Sequence, residues 1–144
     1  MFNEAVLYHP ADLSGWMKKK GGDVMAINPK HMKKRYFVLK GTNLFYFKGE
    51  ASGGNNTPVG SPLSVVPLEF SLLEVEGQPT ETASGKPLFA INLKVSPEFW
   101  PRSKHKTYLL GLKSQEAQMA WASALREASI PRPNLVQSIT EMGL

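Results

Sequence analysis

The sequence contains no cysteine, which excludes disulfide bonds and thiolate metal sites. Its three histidines, His9, His31 and His105, lack the spacing of metal ligands. There is also no carboxylate pair suited to acid–base catalysis, no Gly-x-Ser-x-Gly elbow and no phosphate loop ending in Gly-Lys-Ser/Thr. We therefore expect no catalytic residues, no metal and no cofactor, and a protein that is not an enzyme.

Long apolar segments are absent as well. A membrane-spanning helix needs about 20 consecutive apolar residues, and no run in this chain approaches that length. The first residues carry an acid, Glu4, where a secretory signal needs a basic start. We therefore expect a cytoplasmic protein whose contact with membranes is peripheral.

Acidic residues are nearly missing from one part of the chain. Nine basic residues and a single acid, Asp23, lie between Trp16 and Lys48, whereas the whole 144-residue chain has a formal charge of +5. A molecule with this polarity is attracted to anionic surfaces, and salt weakens the attraction. Membranes and nucleic acids are both such surfaces. The chain length predicts one domain with its own core.

Hydrophobic patterning predicts seven strands and one helix. β-rich or alternating runs, separated by Gly, Pro and Asn clusters, cover 14–20, 33–40, 43–48, 65–68, 72–75, 88–93 and 107–112. Ser114 can cap a helix that ends before Pro131. Its apolar stripe includes Trp121, which we expect to pack in the core as a plug rather than to bind a ligand. The other members of the stripe are Ala117, Ala124, Leu125 and Ala128.

Four polar side chains have the core-facing parity of their strands: Lys19, Lys33, Arg35 and Tyr46. Successive side chains in a strand point to opposite faces, so Lys19 faces the same way as Met17. An unpaired charge is costly to bury, so these cations are expected at a rim where an external anion can meet them. The pattern predicts a phosphate-binding pocket at the mouth of a barrel.

The segments that carry this pattern resemble a known family in their order and spacing. They are Gly15-Trp16-Met17, Arg35-Tyr36-Phe37-Val38-Leu39, Tyr46-Phe47 and the helix around Trp121. Together they resemble the pleckstrin homology (PH) domain over residues 13–130, leaving 1–12 as an N-terminal extension and 131–144 as a tail. The resemblance implies a mostly β fold, a seven-stranded, bent antiparallel sandwich or barrel capped by a C-terminal helix. It extends to small stand-alone plant members, which act as membrane adaptors.

The resemblance also implies the binding residues. In members that bind phosphoinositides, a lysine late in strand one, a basic-x-Arg in strand two and a tyrosine in strand three hold the inositol phosphates. Lys19, Lys33, Arg35 and Tyr46 match those positions. We expect further basic residues to contribute to phosphoinositide binding around this pocket: Lys18, Lys20, Lys34, Lys48, Lys104 and Lys106.

Two loops contain apolar residues suited to membrane insertion. Val24, Met25 and Ile27 lie in the connection between the first two strands, next to lysines. Trp100 precedes a basic run in the loop before the last strand. Packing over a barrel edge explains Trp100 equally well, whereas the Val24 segment favours the membrane.

These observations predict a phosphoinositide-binding adaptor in signalling, peripherally attached to endosomal or plasma membranes. The loop after strand three has no basic residue from Gly49 to Pro62, which favours a headgroup with few phosphates, such as phosphatidylinositol 3-phosphate. The main alternative is a protein-interaction module of the same fold. Nucleic acid is not an expected partner, because no helix is suitably basic. We expect a monomer whose C-terminal tail, with Leu135, Ile139 and Met142, recruits a protein.

Overall fold

The computed structural model describes residues 12–22, 32–49, 60–82 and 85–130. Within these ranges the chain forms eight strands, one 3₁₀ helix and one α-helix. The strands are β1 (Leu13–Gly22), β2 (Lys33–Lys40), β3 (Asn43–Phe47), β4 (Ser64–Pro67), β5 (Leu72–Val75), β6 (Thr80–Glu81), β7 (Pro87–Lys94) and β8 (Thr107–Leu112). The 3₁₀ helix spans Pro97–Arg102, and the α-helix, α1, spans Gln115–Ser129.

All strand pairs are antiparallel, in the order β4-β3-β2-β1-β8-β7-β5, with β6 added to β7. The inner face of this bent sheet surrounds the main core, and α1 closes it by contributing Trp121, which is 5% exposed. The plug role predicted for Trp121 is therefore confirmed. The buried strand residues of this core are Met17, Phe37, Leu39, Leu44, Tyr46, Val66, Ile91, Leu93, Tyr108, Leu110 and Leu112.

The α-helix begins where the sequence predicts. The Ser114 hydroxyl accepts a hydrogen bond from the Ala117 backbone N–H at 3.1 Å, which satisfies one of the free donors of the first turn. Glu116 lies in that turn, where the helix dipole favours an acid. Gln118 is buried, and its Nε2 donates to the backbone oxygens of Glu76 and Ala90, so a polar side chain joins α1 to the sheet.

The predicted fold class is confirmed, and the differences are local. Seven strands occur where they were expected, with ends that differ by two residues at most, and the tight hairpin at Gly41 has that glycine at a φ of 58°. The two-residue β6 and the 3₁₀ helix were not predicted. No helix in the described ranges has the length and apolar character needed to cross a bilayer.

Candidate functional site

Lys19 lies at the inner face of the sheet, as the alternation of β1 predicts. Its side chain is only 8% exposed. The Lys19 Nζ lies 4.8 Å from the centroid of the Tyr46 ring and 5.9 Å from that of the Tyr108 ring. The ammonium group is thus held between two aromatic faces, which attract a cation without neutralising it.

Other cations surround Lys19. The Lys19 pKa is lowered from 10.5 to about 8, mainly by burial and then by the charges of Lys104, Arg35 and Lys33, in that order. Within the described ranges none of these four cations forms an ion pair with a carboxylate. The structure therefore brings together four of the cations predicted to bind the headgroup, with Lys104 contributed by the β7–β8 loop.

Arg35 supplies the planar group of this cluster. One of its terminal nitrogens, Nη1, donates to the Lys34 backbone oxygen at 2.9 Å. Its Nε is buried and has no hydrogen-bond partner among the described residues. A buried donor left without a partner costs free energy, and an incoming oxyanion would relieve that cost.

Two tyrosine hydroxyls complete the cluster. The rings of Tyr46 and Tyr108 have centroids 6.4 Å apart, and both hydroxyls are buried without a well-formed hydrogen bond inside the described part of the chain. Burial raises the pKa of each phenol, so both keep a proton to donate. Tyr46 was predicted for this site and Tyr108 was not. The signal that could have identified Tyr108 is its inward-facing position near the start of β8, next to a basic loop.

The β7–β8 loop is tied to the end of β1, and this connection positions Lys104. The Thr107 hydroxyl and the Lys106 N–H both donate to the Gly22 carbonyl oxygen, at 3.0 and 3.2 Å. The His105 ring packs directly on Gly21, at a place that a β-carbon would occupy, and meets the Tyr108 ring edge-on at 5.5 Å. A glycine is therefore required at position 21 for this approach.

Trp100 is held locally but keeps an exposed side. Its indole N–H donates to the Val95 carbonyl oxygen at 3.0 Å, and the Lys106 Nζ lies 4.5 Å from the ring centroid. The ring is 39% exposed. Both interpretations given by the sequence thus keep a structural basis, because the ring packs against the barrel edge while one side remains accessible. The other insertion residues, Val24, Met25 and Ile27, lie outside the described residues.

Lys18 and Lys34 lie on the outer face of the sheet, which corrects their grouping with the pocket residues. They alternate with Lys19 and Lys33, and the Lys34 Nζ lies 4.9 Å from the centroid of the outward-facing Trp16 ring. Alternation puts Lys20 on the outer face too. Lys48 is exposed just beyond β3, and the β2–β3 register places it level with Arg35, at the pocket side.

A stability prediction follows from the register of β1 and β2. Lys18 and Lys34 are directly opposed, and like charges in that arrangement destabilise a sheet. Lys18→Glu should therefore stabilise the fold by about 0.5 kcal/mol, because it creates an opposite-charge pair and keeps the contact of Lys34 with Trp16. Thermal unfolding measures the effect. Lys86→Glu, a charge reversal at an exposed site, is the control. An equal gain in stability for Lys86→Glu would mean that the change in net charge, and not the Lys18–Lys34 pair, causes the effect.

Comparison with known proteins gives the family of this chain. The PH domain family model matches residues 11–129. The chain belongs to the PH domain family. It is 32% identical over 127 residues to human Sesquipedalian-1 and 34% identical over 128 residues to mouse Sesquipedalian-2. Those matches cover 88% of this chain but only 41% and 43% of the relatives, so the chain spans about two fifths of their length.

Solved structures share the fold. The PH domain of the human KIAA0053 protein superposes with a TM-score of 0.59 at 25% identity, covering 87% of this chain and 93% of that domain. The Slm1 PH domain has the same TM-score at 18% identity, covering 84% and 98%. Slm1 PH structures include complexes with inositol-4-phosphate and with phosphoserine. At that identity the likeness to Slm1 concerns the fold.

Proposed function

We propose that this PH domain binds a phosphoinositide headgroup at the cluster of Lys19, Lys33, Arg35, Lys104 and Tyr46 and thereby attaches the protein peripherally to a membrane. The observation that carries the proposal is the convergence of four cations and two buried tyrosine hydroxyls without a well-formed hydrogen bond, with no acid among the described residues to neutralise the cations. Such a group of donors matches the oxygen atoms of a phosphate.

Each residue has a defined role in this proposal. Lys19, Lys33 and Lys104 act as point charges, Arg35 offers a planar fork for one phosphate, and the tyrosine hydroxyls donate single hydrogen bonds. Hydrogen bonds to charged groups contribute about 1.5 to 3 kcal/mol each. A surface lysine near an anionic bilayer adds only about 1 kcal/mol. The pocket therefore selects the headgroup, while the outlying lysines prolong residence on the membrane.

We propose a headgroup with few phosphates, such as phosphatidylinositol 3-phosphate. The segment from Gly49 to Pro62 brings no cation toward the pocket, so there is little to balance additional phosphates. The Slm1 PH domain, which shares this fold, has been crystallised with an inositol monophosphate and binds ligand in a non-canonical site, so it supports the class of headgroup and not the Lys19 pocket. In this view the protein is a cytoplasmic, non-enzymatic adaptor on endosomal or plasma membranes. Its tail, which lies outside the described residues, would recruit a partner.

Quantitative co-sedimentation tests the proposal with vesicles of phosphatidylcholine that carry each phosphoinositide in turn, at low and at physiological salt. We expect saturable binding with a headgroup preference that survives at the higher salt, because contacts inside a pocket are screened less than surface contacts. A steep salt effect without headgroup preference would leave only a basic patch. A trisphosphate lipid that binds far better than monophosphates would contradict the preference.

A further inference from the structure

The outer face of the sheet carries a groove that the phosphoinositide site does not use. A cavity of ≈ 150 Å³ lies over β7 and β8, with an apolar floor formed by Leu88, Ala90 and Leu109. Met32 lines one side, and Thr80 of β6 lines another. The three floor residues do not belong to the main core, so this cavity is separate from the barrel interior.

The groove continues into a basic region. A second, smaller cavity of ≈ 30 Å³ shares Leu88 and Gly111 with the first. Its remaining side chains include Lys18, Lys34 and Lys113. A β-carbon at Gly111 would lie 3.1 Å from Leu88 and 3.3 Å from Met32, so only a glycine leaves space for these side chains where the two cavities meet. We call the two cavities together the lateral groove.

Among the described residues, the basic end of the lateral groove has no internal counter-charge. Within the described ranges Lys18, Lys34 and Lys113 form no ion pair, and Lys18 and Lys34 oppose each other across β1 and β2 at a cost in stability. The carboxylate of Glu76, at the far end of the groove, is engaged by the Asn92 side chain, whose Nδ2 donates to it at 2.8 Å. An anionic partner would offset the repulsion among the lysines.

We propose that the lateral groove binds an acidic segment of a partner protein that places one aliphatic side chain in the cavity over Leu88, Ala90 and Leu109. Its acidic residues would contact Lys18, Lys34 and Lys113. The arrangement of charge and apolar surface is complementary to that chemistry. The proposal does not depend on phosphoinositide binding, because the groove and the Lys19 cluster lie on opposite faces of the sheet.

The combination of features favours a peptide over a second lipid. A cavity of about 150 Å³ holds a group the size of benzene, which matches a leucine side chain and is far too small for an acyl chain. A phosphate alone would use the lysines and leave the apolar cavity empty. The face is also lateral, so a domain attached to a membrane by its open end would keep the groove available to a protein.

Titration of the ¹⁵N-labelled full chain with three synthetic peptides tests this proposal. The first has one leucine flanked by glutamates, the second replaces the leucine with serine, and the third replaces the glutamates with glutamines. We expect saturable shifts of the Leu88, Gly111 and Lys113 amides with the first peptide. The second and third peptides should each bind about tenfold more weakly than the first. Loss of the buried leucine or of the flanking charges should each reduce the binding free energy by about 1.4 kcal/mol or more.

Variants locate the contact. Lys113→Glu and Lys18→Glu should each weaken the first peptide about tenfold, while Arg126→Glu, a charge reversal on α1, should not. The expected gain in thermal stability of Lys18→Glu separates lost binding from lost folding. The proposal is overturned if the shifts lie at Lys19 and Arg35, or if no peptide saturates. It is also overturned if Lys113→Glu and Lys18→Glu leave peptide binding unchanged and reduce only the binding to phosphatidylserine vesicles. That result would make this face a second membrane contact.

Discussion

Arg35→Ala is expected to weaken binding to phosphoinositide vesicles by about ten- to a hundredfold. This range corresponds to the loss of one hydrogen bond to a charged group, at about 1.5 to 3 kcal/mol, with tenfold in affinity for every 1.4 kcal/mol. Arg35 combines a buried, unpartnered Nε with a terminal nitrogen fixed by the Lys34 carbonyl oxygen, so its guanidinium is already oriented. Co-sedimentation or surface plasmon resonance on supported bilayers measures the change.

Two further variants make this test specific. Arg35→Lys keeps the charge but loses the planar fork, and it should lose most of the affinity. Arg126→Ala removes the same charge from an exposed position in the last turn of α1 and should have little effect. Equal losses for Arg35→Ala and Arg126→Ala would mean that net charge, and not the pocket, governs binding. An unchanged amide spectrum confirms that each variant is folded.

Lys19→Met is expected to abolish headgroup binding and to raise the melting temperature at neutral pH. The wild-type ammonium is buried and surrounded by like charges, and its pKa is lowered to about 8. Below that pH the folded state must therefore hold a charged ammonium group in a buried site, which costs free energy. In the unfolded chain the same group is in water and carries its charge without that cost. Methionine has a similar length and no charge, so the same space is filled without the repulsion. Thermal unfolding of both proteins measures the difference.

The pH dependence gives a second readout of Lys19. Between pH 8 and 10.5 the folded wild type binds fewer protons than the unfolded chain, so Lys19 makes stability rise with pH in that interval. Lys19→Met should lack this contribution, and the two stability curves should converge above the interval. An anion in the pocket favours the protonated form, so wild-type affinity should fall from pH 7 to pH 9. A variant that is less stable than the wild type at pH 7 would contradict the electrostatic account.

The residues on the inner face of the site could be predicted because successive side chains of a half-buried strand alternate between the two faces of the sheet. Lys19 and Tyr46 have the parity of core residues, and a cation with that parity can remain only where the barrel meets solvent. The same rule placed Lys18 and Lys34 on the opposite face. They were nevertheless grouped with the pocket, because a basic run suggests a single patch when composition is considered without geometry.

Other parts of the structure depend on contacts that local patterns do not encode. Tyr108 joins the site because the β7–β8 loop is bonded to Gly22, which is distant in the sequence. The two residues of β6 are too few to show a period. Gln118 is buried because two backbone oxygens of neighbouring segments accept its hydrogen bonds, a tertiary arrangement that helix periodicity cannot predict.

The lysine runs of β1 and β2 have a consequence for how the hairpin finds its alignment during folding. A slip by one residue would exchange Lys19 for Lys18 or Lys20 and leave a lysine in the pocket, so these runs carry almost no information about which pairing is correct. That information comes from Met17, Phe37 and their apolar neighbours, which would be turned out into water by the same slip. Specific recognition at the charged end is therefore guaranteed by uncharged residues further along the same strands.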